Sequence, residues 1–313
     1  MAGLARALAH APRNRTVARL ARSRAAAWLV NPHADVTAAE LRAAVAGKTV
    51  LVTGASYGLG AATARRLGAA GATVVLLART EHALEETARA VREAGGFAHP
   101  YPVDLSDPAA VEPVAADIID RHGPVDVLVN NAGKSIRRSI ADSTGRFGDF
   151  ERTIGVNYLG PVRLMLALLP AMRERGSGHL VNISTIGVRI PPGPRWAAYQ
   201  ASKSAFDVFF RSTAAEAAAD GVTASSVYMA LIRTRMSAPT AIFDNLPGLS
   251  ADEAAGIVCR AIVSRPAKIS PWWADAAEVV FSAARHPWER IVAGMYRDSH
   301  GATTTQDTRE IRP

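Results

Sequence analysis

From residue 49 onward, short and nearly unbroken apolar runs alternate with longer stretches of helical period. Thr49-Val50-Leu51-Val52-Thr53 reads as a strand, then a glycine-rich turn from Gly54 to Gly60, then an Ala-rich helix through Ala70. Thr73 to Ala78 is a second strand, and Glu81 to Ala94 a helix closed by Gly95-Gly96. Ala98 to Val103 (strand), Pro108 to Arg121 (helix) and Val125 to Val129 (strand) continue the alternation. Phe147 to Glu174 reads as one long helix interrupted near Gly160-Pro161, followed by a strand from His179 to Thr185. Ala201, Ala205, Phe206, Phe209 and Phe210 recur at helical spacing. Val222 to Tyr228 and Lys268 to Ser270 read as the last strands, with a helix from Ser250 to Ser264 between them. Strands apolar throughout, alternating with helices, predict an α/β fold: a three-layer, doubly wound parallel sheet in a single domain. The strand ends then line one edge, where ligands bind.

This pattern divides the chain. Residues 1–46 precede the first strand as a basic helical N-terminal extension, and 47–270 form the catalytic domain. Residues 271–298 form a C-terminal helical extension: Pro271-Trp272-Trp273, then Ala276 to Tyr296, broken at Pro287. Residues 299–313 lack an apolar period and read as a disordered tail. Met1 to Val30 carries Arg6, Arg13, Arg15, Arg19, Arg22 and Arg24 with no acid, interleaved with Leu4, Leu8, Val17, Leu20 and Trp28. That composition fits peripheral contact with an anionic inner-membrane surface, an organelle transit segment, a poorly ordered arm, or a helix packed on a partner subunit. In Val36 to Leu41, Thr37 and Glu40 have the spacing of a helix N-cap and its matching acid.

Composition narrows the function classes. The 313 residues are 49% hydrophobic and 20% charged, which is globular rather than disordered or fibrous. Cys259 is the only cysteine, which excludes an intrachain disulfide and fits a cytoplasmic setting; in its helical context it reads as a buried structural thiol. No uninterrupted apolar run reaches the roughly 18 residues of a membrane span. The net charge of +8 points to acidic or phosphorylated partners. Neither a metal motif nor a nucleic-acid module is recognisable, so neither class of ligand is expected.

Three stretches carry the chemistry. Gly54-Ala55-Ser56-Tyr57-Gly58-Leu59-Gly60 follows a strand and opens a helix, the context in which glycines let backbone approach a pyrophosphate at a helix N-terminus. Arg79, at the end of the second strand, stands where an acid would hold ribose hydroxyls; an arginine suits a 2′-phosphate, so NADPH/NADP+ is the expected cofactor. Asp104 and Asn130-Asn131-Ala132-Gly133 fall on the same edge. Tyr199 and Lys203, four apart on a helix, project together. A nearby ammonium favours the phenolate of a tyrosine that otherwise titrates near 10, which makes the pair a proton donor or acceptor for an oxygen substrate.

Thr53-Gly54-Ala55-Ser56-Tyr57-Gly58-Leu59-Gly60, Asn130-Asn131-Ala132-Gly133 and Tyr199-x-x-x-Lys203, in that order, resemble the short-chain dehydrogenase/reductase family over roughly residues 47–270. The resemblance implies a Rossmann-type fold, a dimer or tetramer, and cofactor contacts from Gly54, Ser56, Tyr57, Gly58, Leu59, Gly60, Arg79, Asp104, Leu105, Asn131, Ala132, Gly133, Tyr199 and Lys203. Ile232 and Thr234 match positions that hold the carboxamide and phosphates. Asn157 matches an asparagine whose carbonyl holds a water beside the catalytic lysine. The family pairs two serines at the end of the strand before the tyrosine. Here the pair is Ser184-Thr185, with Thr185 the expected catalytic hydroxyl and Ser184 the alternative. Met229-Ala230 replaces the family's Pro-Gly and implies a less rigid or reshaped loop. The segments from Lys134 to Ile140 and from Met229 to Thr240 are similar to a bacterial subgroup of fatty acyl-CoA reductases. That similarity implies a small-molecule acyl thioester. Lys134, Arg137, Arg138, Arg189, Arg195, Arg233 and Arg235 fall on loops at the catalytic edge, where several cations suit the phosphates of coenzyme A, and Lys134, Arg137, Arg138, Arg195, Trp196 and Arg235 are the expected substrate contacts. Ile190, Pro191, Pro192, Ile242, Phe243 and Leu246 are placed to line an acyl channel, with 239–249 a mobile lid over it. A ketone or alcohol dehydrogenase, and a non-catalytic membrane-recruited cofactor-binding protein, are the competing readings.

Overall fold

The apolar runs sort by parity. Val50, Val52, Val74 and Leu76 enter one core, and Leu51, Val75, Leu77, Leu128 and Leu180 enter another. Alternate side chains of a strand point to opposite faces, so these two cores are the two sides of one sheet. The structure, a computed structural model, describes residues 23–191 and 193–307. Its main sheet contains β1 (Thr49–Thr53), β2 (Thr73–Ala78), β3 (Phe97–Pro102), β4 (Val127–Asn130), β5 (Gly178–Thr185), β6 (Val222–Met229) and β9 (Lys268–Ile269). All pairs are parallel, in the order β3-β2-β1-β4-β5-β6-β9. Val50 stands between Val74 and Val127. The strand order reverses between β1 and β4, which opens a crevice at their carboxyl ends. A short parallel pair, β7 (Leu231–Arg233) and β8 (Gly248–Ser250), lies after β6.

Helices α1 (Arg24–Val30) and α2 (Ala38–Val45) precede the sheet. The first face carries α3 (Gly58–Ala69), α4 (Glu81–Glu93) and α9 (Ala251–Ser264). The second carries α5 (Val111–His122), α7 (Gly160–Glu174) and α8 (Ala197–Ala217), with Phe206 and Phe210 of α8 fully buried. Cys259 is buried in α9, and burial pushes its thiol up to about 11. The expected capping box is present: Thr37 and Glu40 exchange hydrogen bonds at the start of α2.

Several boundaries differ from expectation for physical reasons. The helix after Pro108 starts at Val111, because residues 108–110 form a turn. The long helix is broken earlier than Gly160-Pro161. Helix α6 (Gly148–Ile154) runs into a π-turn at Gly155–Leu159, and Pro161 falls in the first turn of α7, where its missing N–H costs nothing. The stretch Gly148–Glu174 is long and apolar enough to cross a membrane by length and composition. Instead Leu164, Met165, Leu168 and Met172 pack on the sheet.

The C-terminal extension comprises α10 (Ala274–Ala283) and α11 (Arg285–Asp307). Pro287 does not break α11, because it sits in the first turn; the break is at Ala284. Helix α11 also continues through Asp307, past Asp298 where the tail was expected to begin. The two extensions meet: the indole N–H groups of Trp272 and Trp273 donate to the carbonyls of Leu29 (3.0 Å) and Val30 (3.2 Å). Arg6 to Arg22, Pro192 and residues 308–313 lie outside the described residues, as does the side chain of Ile242.

Candidate active site

The crevice is walled by the loops after β1, β4 and β5 and by the start of α8. After β1, Gly54 has φ +67° and Gly58 φ +56°, a region side chains rarely enter. Space is short as well: a Cβ on Gly60 would come within 2.2 Å of the Gly54 carbonyl, and one on Gly58 within 3.0 Å of Thr234 Cγ2. The turn therefore presents backbone, at the N-terminus of α3, to the crevice. Leu59 is buried in the core, while Ser56 is half-buried and Tyr57 exposed at the mouth.

Thr53 fixes this turn to the β4 loop. Its Oγ1 accepts the backbone N–H groups of Asn131 and Ala132, both at 2.9 Å. Asn131 Nδ2 in turn donates to the carbonyls of Thr53 (2.8 Å) and Gly54 (3.3 Å). A hydroxyl closing an otherwise apolar strand was the signal for Thr53, and the sequence reading passed over it. Arg79 and Asp104 meet at the far side of the turn, 3.6 Å apart and partly exposed. Burial raises the Asp104 pKa, but hydrogen bonds from Ser106 and the Arg79 charge outweigh it and hold the carboxyl below its ordinary value. Leu105 contributes a side chain to the core rather than to the crevice. Ile232 pairs with Leu249 in the small sheet and packs against the first core.

Asn157 lies in the π-turn and is buried. Its Oδ1 accepts from the Lys134 N–H (2.7 Å), and its Nδ2 donates to the Lys134 carbonyl (2.9 Å) and to Ser202 Oγ (2.9 Å). One side chain thus holds the β4 loop against α8. Gly133 lies beside Lys203: a Cβ there would be 3.6 Å from Nζ.

Lys203 is buried and donates to the Ile183 carbonyl at 3.0 Å. Burial lowers its pKa to about 8, against the opposing charge of Asp207 one turn further along α8. Burial raises the Tyr199 phenol above its ordinary value, and a hydrogen bond with Thr185 opposes it. The expectation was that Lys203 would lower the phenol. In this structure the lysine is committed to the strand carbonyl, and Thr185 is the group that touches Tyr199. Ser184 instead donates to Asp207, further along the same helix, at 3.4 Å. Of the two hydroxyls, Thr185 is therefore the one that reaches Tyr199, and Ser184 the one that reaches Asp207. Asp207 was not anticipated, although its spacing of four from Lys203 marks the shared face.

Trp196 stands edge-on to Tyr199 (6.0 Å between rings) and stacks on Phe243 (5.6 Å). The cations anticipated around the cleft divide into two kinds. Arg189 is structural: it pairs with Asp275 and Glu278 of α10, which fastens the C-terminal extension to the body. Arg233 donates to the Leu246 carbonyl (2.7 Å), and Arg235 lies 4.2 Å over the Tyr57 ring. Arg138 pairs with Asp149 (3.0 Å), and its N–H donates to the Arg195 carbonyl (2.8 Å). Arg137, Arg138 and Arg195 line one cavity, together with Arg146. In the segment 239–249 the structure places a 3-10 turn (Ala241–Asn245) and the start of β8. Loop 229–230 is held by the segment after α1, since buried Asn31 accepts the Ala230 N–H at 3.2 Å.

The short chain dehydrogenase family model matches residues 48–243. An uncharacterised oxidoreductase of Mycobacterium bovis is 45% identical over 280 residues, covering 87% of this chain and 82% of that protein. A fatty acyl-CoA reductase of Acinetobacter baylyi is 45% identical over 240 residues, 77% of this chain and 81% of that one. Among solved structures, a metagenomic short-chain oxidoreductase in complex with NADP superposes with a TM-score of 0.64 at 32% identity, covering 72% of this chain and 97% of that one. With its glycine turn, its Asn-Ala-Gly loop and its Tyr199/Lys203 helix assembled at one crevice, the chain belongs to the short-chain dehydrogenase family of oxidoreductases.

Proposed function

We propose that the protein is an NADPH-dependent reductase of an acyl thioester, releasing an aldehyde and a thiol. The observation that carries the catalytic part is the Thr185–Tyr199 hydrogen bond, set at the crevice with Lys203 buried behind it. The cradle fits a dinucleotide, because two of its glycines admit no Cβ without collision and the turn opens α3. Gly54, Gly58 and Gly60 would take the pyrophosphate, Arg79 the 2′-phosphate, and Thr234, against Gly58, would close the turn. NADPH bound there supplies the hydride.

The protein's own groups manage the oxygen. Thr185 donates to the substrate carbonyl and orients it, and Tyr199 passes its proton to that oxygen as the carbon is reduced. Burial leaves the phenol protonated at neutral pH, the form a reductase needs. Lys203 carries positive charge to the same pocket and, through the Asn157–Ser202 contact, is placed beside the β4 loop. The reduced thioester is a hemithioacetal; its collapse returns the hydroxyl proton and expels the thiol, which leaves as such after taking a proton. The acyl thioester is favoured over a simple ketone by the likeness to the Acinetobacter baylyi fatty acyl-CoA reductase and by the arginine-bearing loops at the cleft. Replacing Tyr199 with Phe tests the assignment. Turnover falls at least ~100-fold with NADPH affinity retained, whereas wild-type rates in that variant overturn it.

A further inference from the structure

Two cavities meet at one residue. The first, ≈ 410 Å³, is lined by Arg137, Arg138, Ser139, Asp142, Arg146 and Arg195. Its cations outnumber its acid, and the Asp142 carboxylate already accepts from Ser139. Among the described residues no carboxylate lies within ion-pair distance of Arg137, Arg146 or Arg195. Like charges gathered in this way repel one another unless an anion is shared between them. Partial burial and the neighbouring Arg195 both lower the Arg137 pKa, as that crowding requires.

The second cavity, ≈ 440 Å³, is apolar. Ile140, Pro191 and Pro194 form one wall, and Trp288, Val292 and Tyr296 of α11 form the other. Arg195 lines both cavities, and its guanidinium lies 5.9 Å over the Tyr296 ring. Arg195 is also one of two non-glycine residues with positive φ among those described, at +71°. Such strain persists only where the surroundings impose it. The next residue, Trp196, stands against Tyr199. A cationic pocket, an apolar groove and the proton donor are therefore joined within five residues of chain.

Resting on the reductase reading, we propose that these cavities are the two subsites of an amphiphilic substrate. The arginine pocket takes the phosphates of a nucleotide-bearing thiol carrier, and the groove under α11 takes the acyl chain. The C-terminal extension, which lies beyond the 48–243 region shared with the family at large, thereby sets chain length. Both volumes fall in the ~300–1,000 Å³ range of small-molecule sites. The occupant of the groove is a hydrocarbon chain because the adjoining charge matches that chain's anionic carrier.

The test is calorimetric titration of the full chain with coenzyme A, butyl-CoA and dodecyl-CoA thioethers, which have no carbonyl to reduce. Each methylene buried adds about fourfold in affinity, so burying about four of the eight extra methylenes already makes dodecyl-CoA bind at least ~100-fold tighter than butyl-CoA. Val292→Trp fills the groove and abolishes that ratio while leaving coenzyme A itself bound. Arg137→Ala with Arg146→Ala weakens all three ligands and flattens the salt dependence. Equal affinities for the two thioethers in the wild type overturn the proposal. So does a chain-length ratio that survives Val292→Trp, including the case in which that variant instead disrupts self-association. The reductase reading fails separately: thioether binding as described, with no NADPH oxidised by any acyl-CoA, leaves the subsites and removes the reaction. Turnover of acyl-CoA without chain-length dependence does the reverse.

Discussion

Replacing Lys203 with Met should change how stability depends on pH, apart from its effect on catalysis. In the folded protein burial lowers the Lys203 pKa to about 8, against an ordinary 10.5. Between those values the unfolded chain holds a proton that the folded chain has released. Raising the pH through that window therefore favours the folded state. The contribution is fully present above 10.5 and is lost as the pH falls through about 8. The gap, at ~1.4 kcal/mol per pH unit, is worth about 3 kcal/mol, which is an upper figure. Deleting the ammonium also frees the Ile183 carbonyl, at ~1–3 kcal/mol, but that loss does not vary with pH. Urea denaturation of both proteins from pH 7.5 to 10.5, without nucleotide, separates the two effects. The wild type gains on the variant by up to about 3 kcal/mol as the pH rises, and the other titrating groups are common to both. Stability curves that stay parallel across the window would show that Lys203 titrates as an ordinary surface lysine, and would refute its burial.

Three further outcomes follow from particular contacts. Thr185→Val lowers kcat by ~10²–10³ with NADPH binding intact. Ser184→Ala, which removes only the contact with Asp207, keeps kcat and costs about 1 kcal/mol in a melting experiment; equal activity losses in the two would undo the choice of Thr185. Gly58→Ala forces a side chain into positive φ and against Thr234, costing ~1–2 kcal/mol. Its NADPH dissociation constant, measured by nucleotide fluorescence, should rise at least ~10-fold; an unchanged constant would remove this turn from the cofactor site. Asn31→Ala releases the Ala230 N–H and raises the KM for NADPH up to ~10-fold at nearly constant kcat. A matching loss in kcat alone would count against a positioning role for the N-terminal extension.

The sheet was legible because its strands are apolar on both faces, and β1 and β2 fall on the expected residues. The glycine turn and the Tyr199/Lys203 pair were legible for a related reason: strain and shared helical faces leave short, local patterns. What escaped the sequence is non-local. Thr53 bonds residues 78 and 79 positions away, and Asn31 reaches Ala230 across 199. The π-turn that carries Asn157 has no local signature distinct from a helix containing Gly and Asn. Arg189 looked like a cleft cation because its acids, Asp275 and Glu278, are supplied by a helix far along the chain. Helix α11 was read as ending early because Thr303-Thr304-Thr305 has no apolar period, yet the backbone continues through it.

The most direct test of the central claim is NADPH consumption and free-thiol release, recorded together, with palmitoyl-CoA, a medium-chain aldehyde and a simple ketone in parallel. A thioester reductase oxidises NADPH with palmitoyl-CoA and releases one thiol for each aldehyde formed. Oxidation with the aldehyde or ketone alone, and no thiol from palmitoyl-CoA, would contradict the claim and make this chain a carbonyl reductase of the same family.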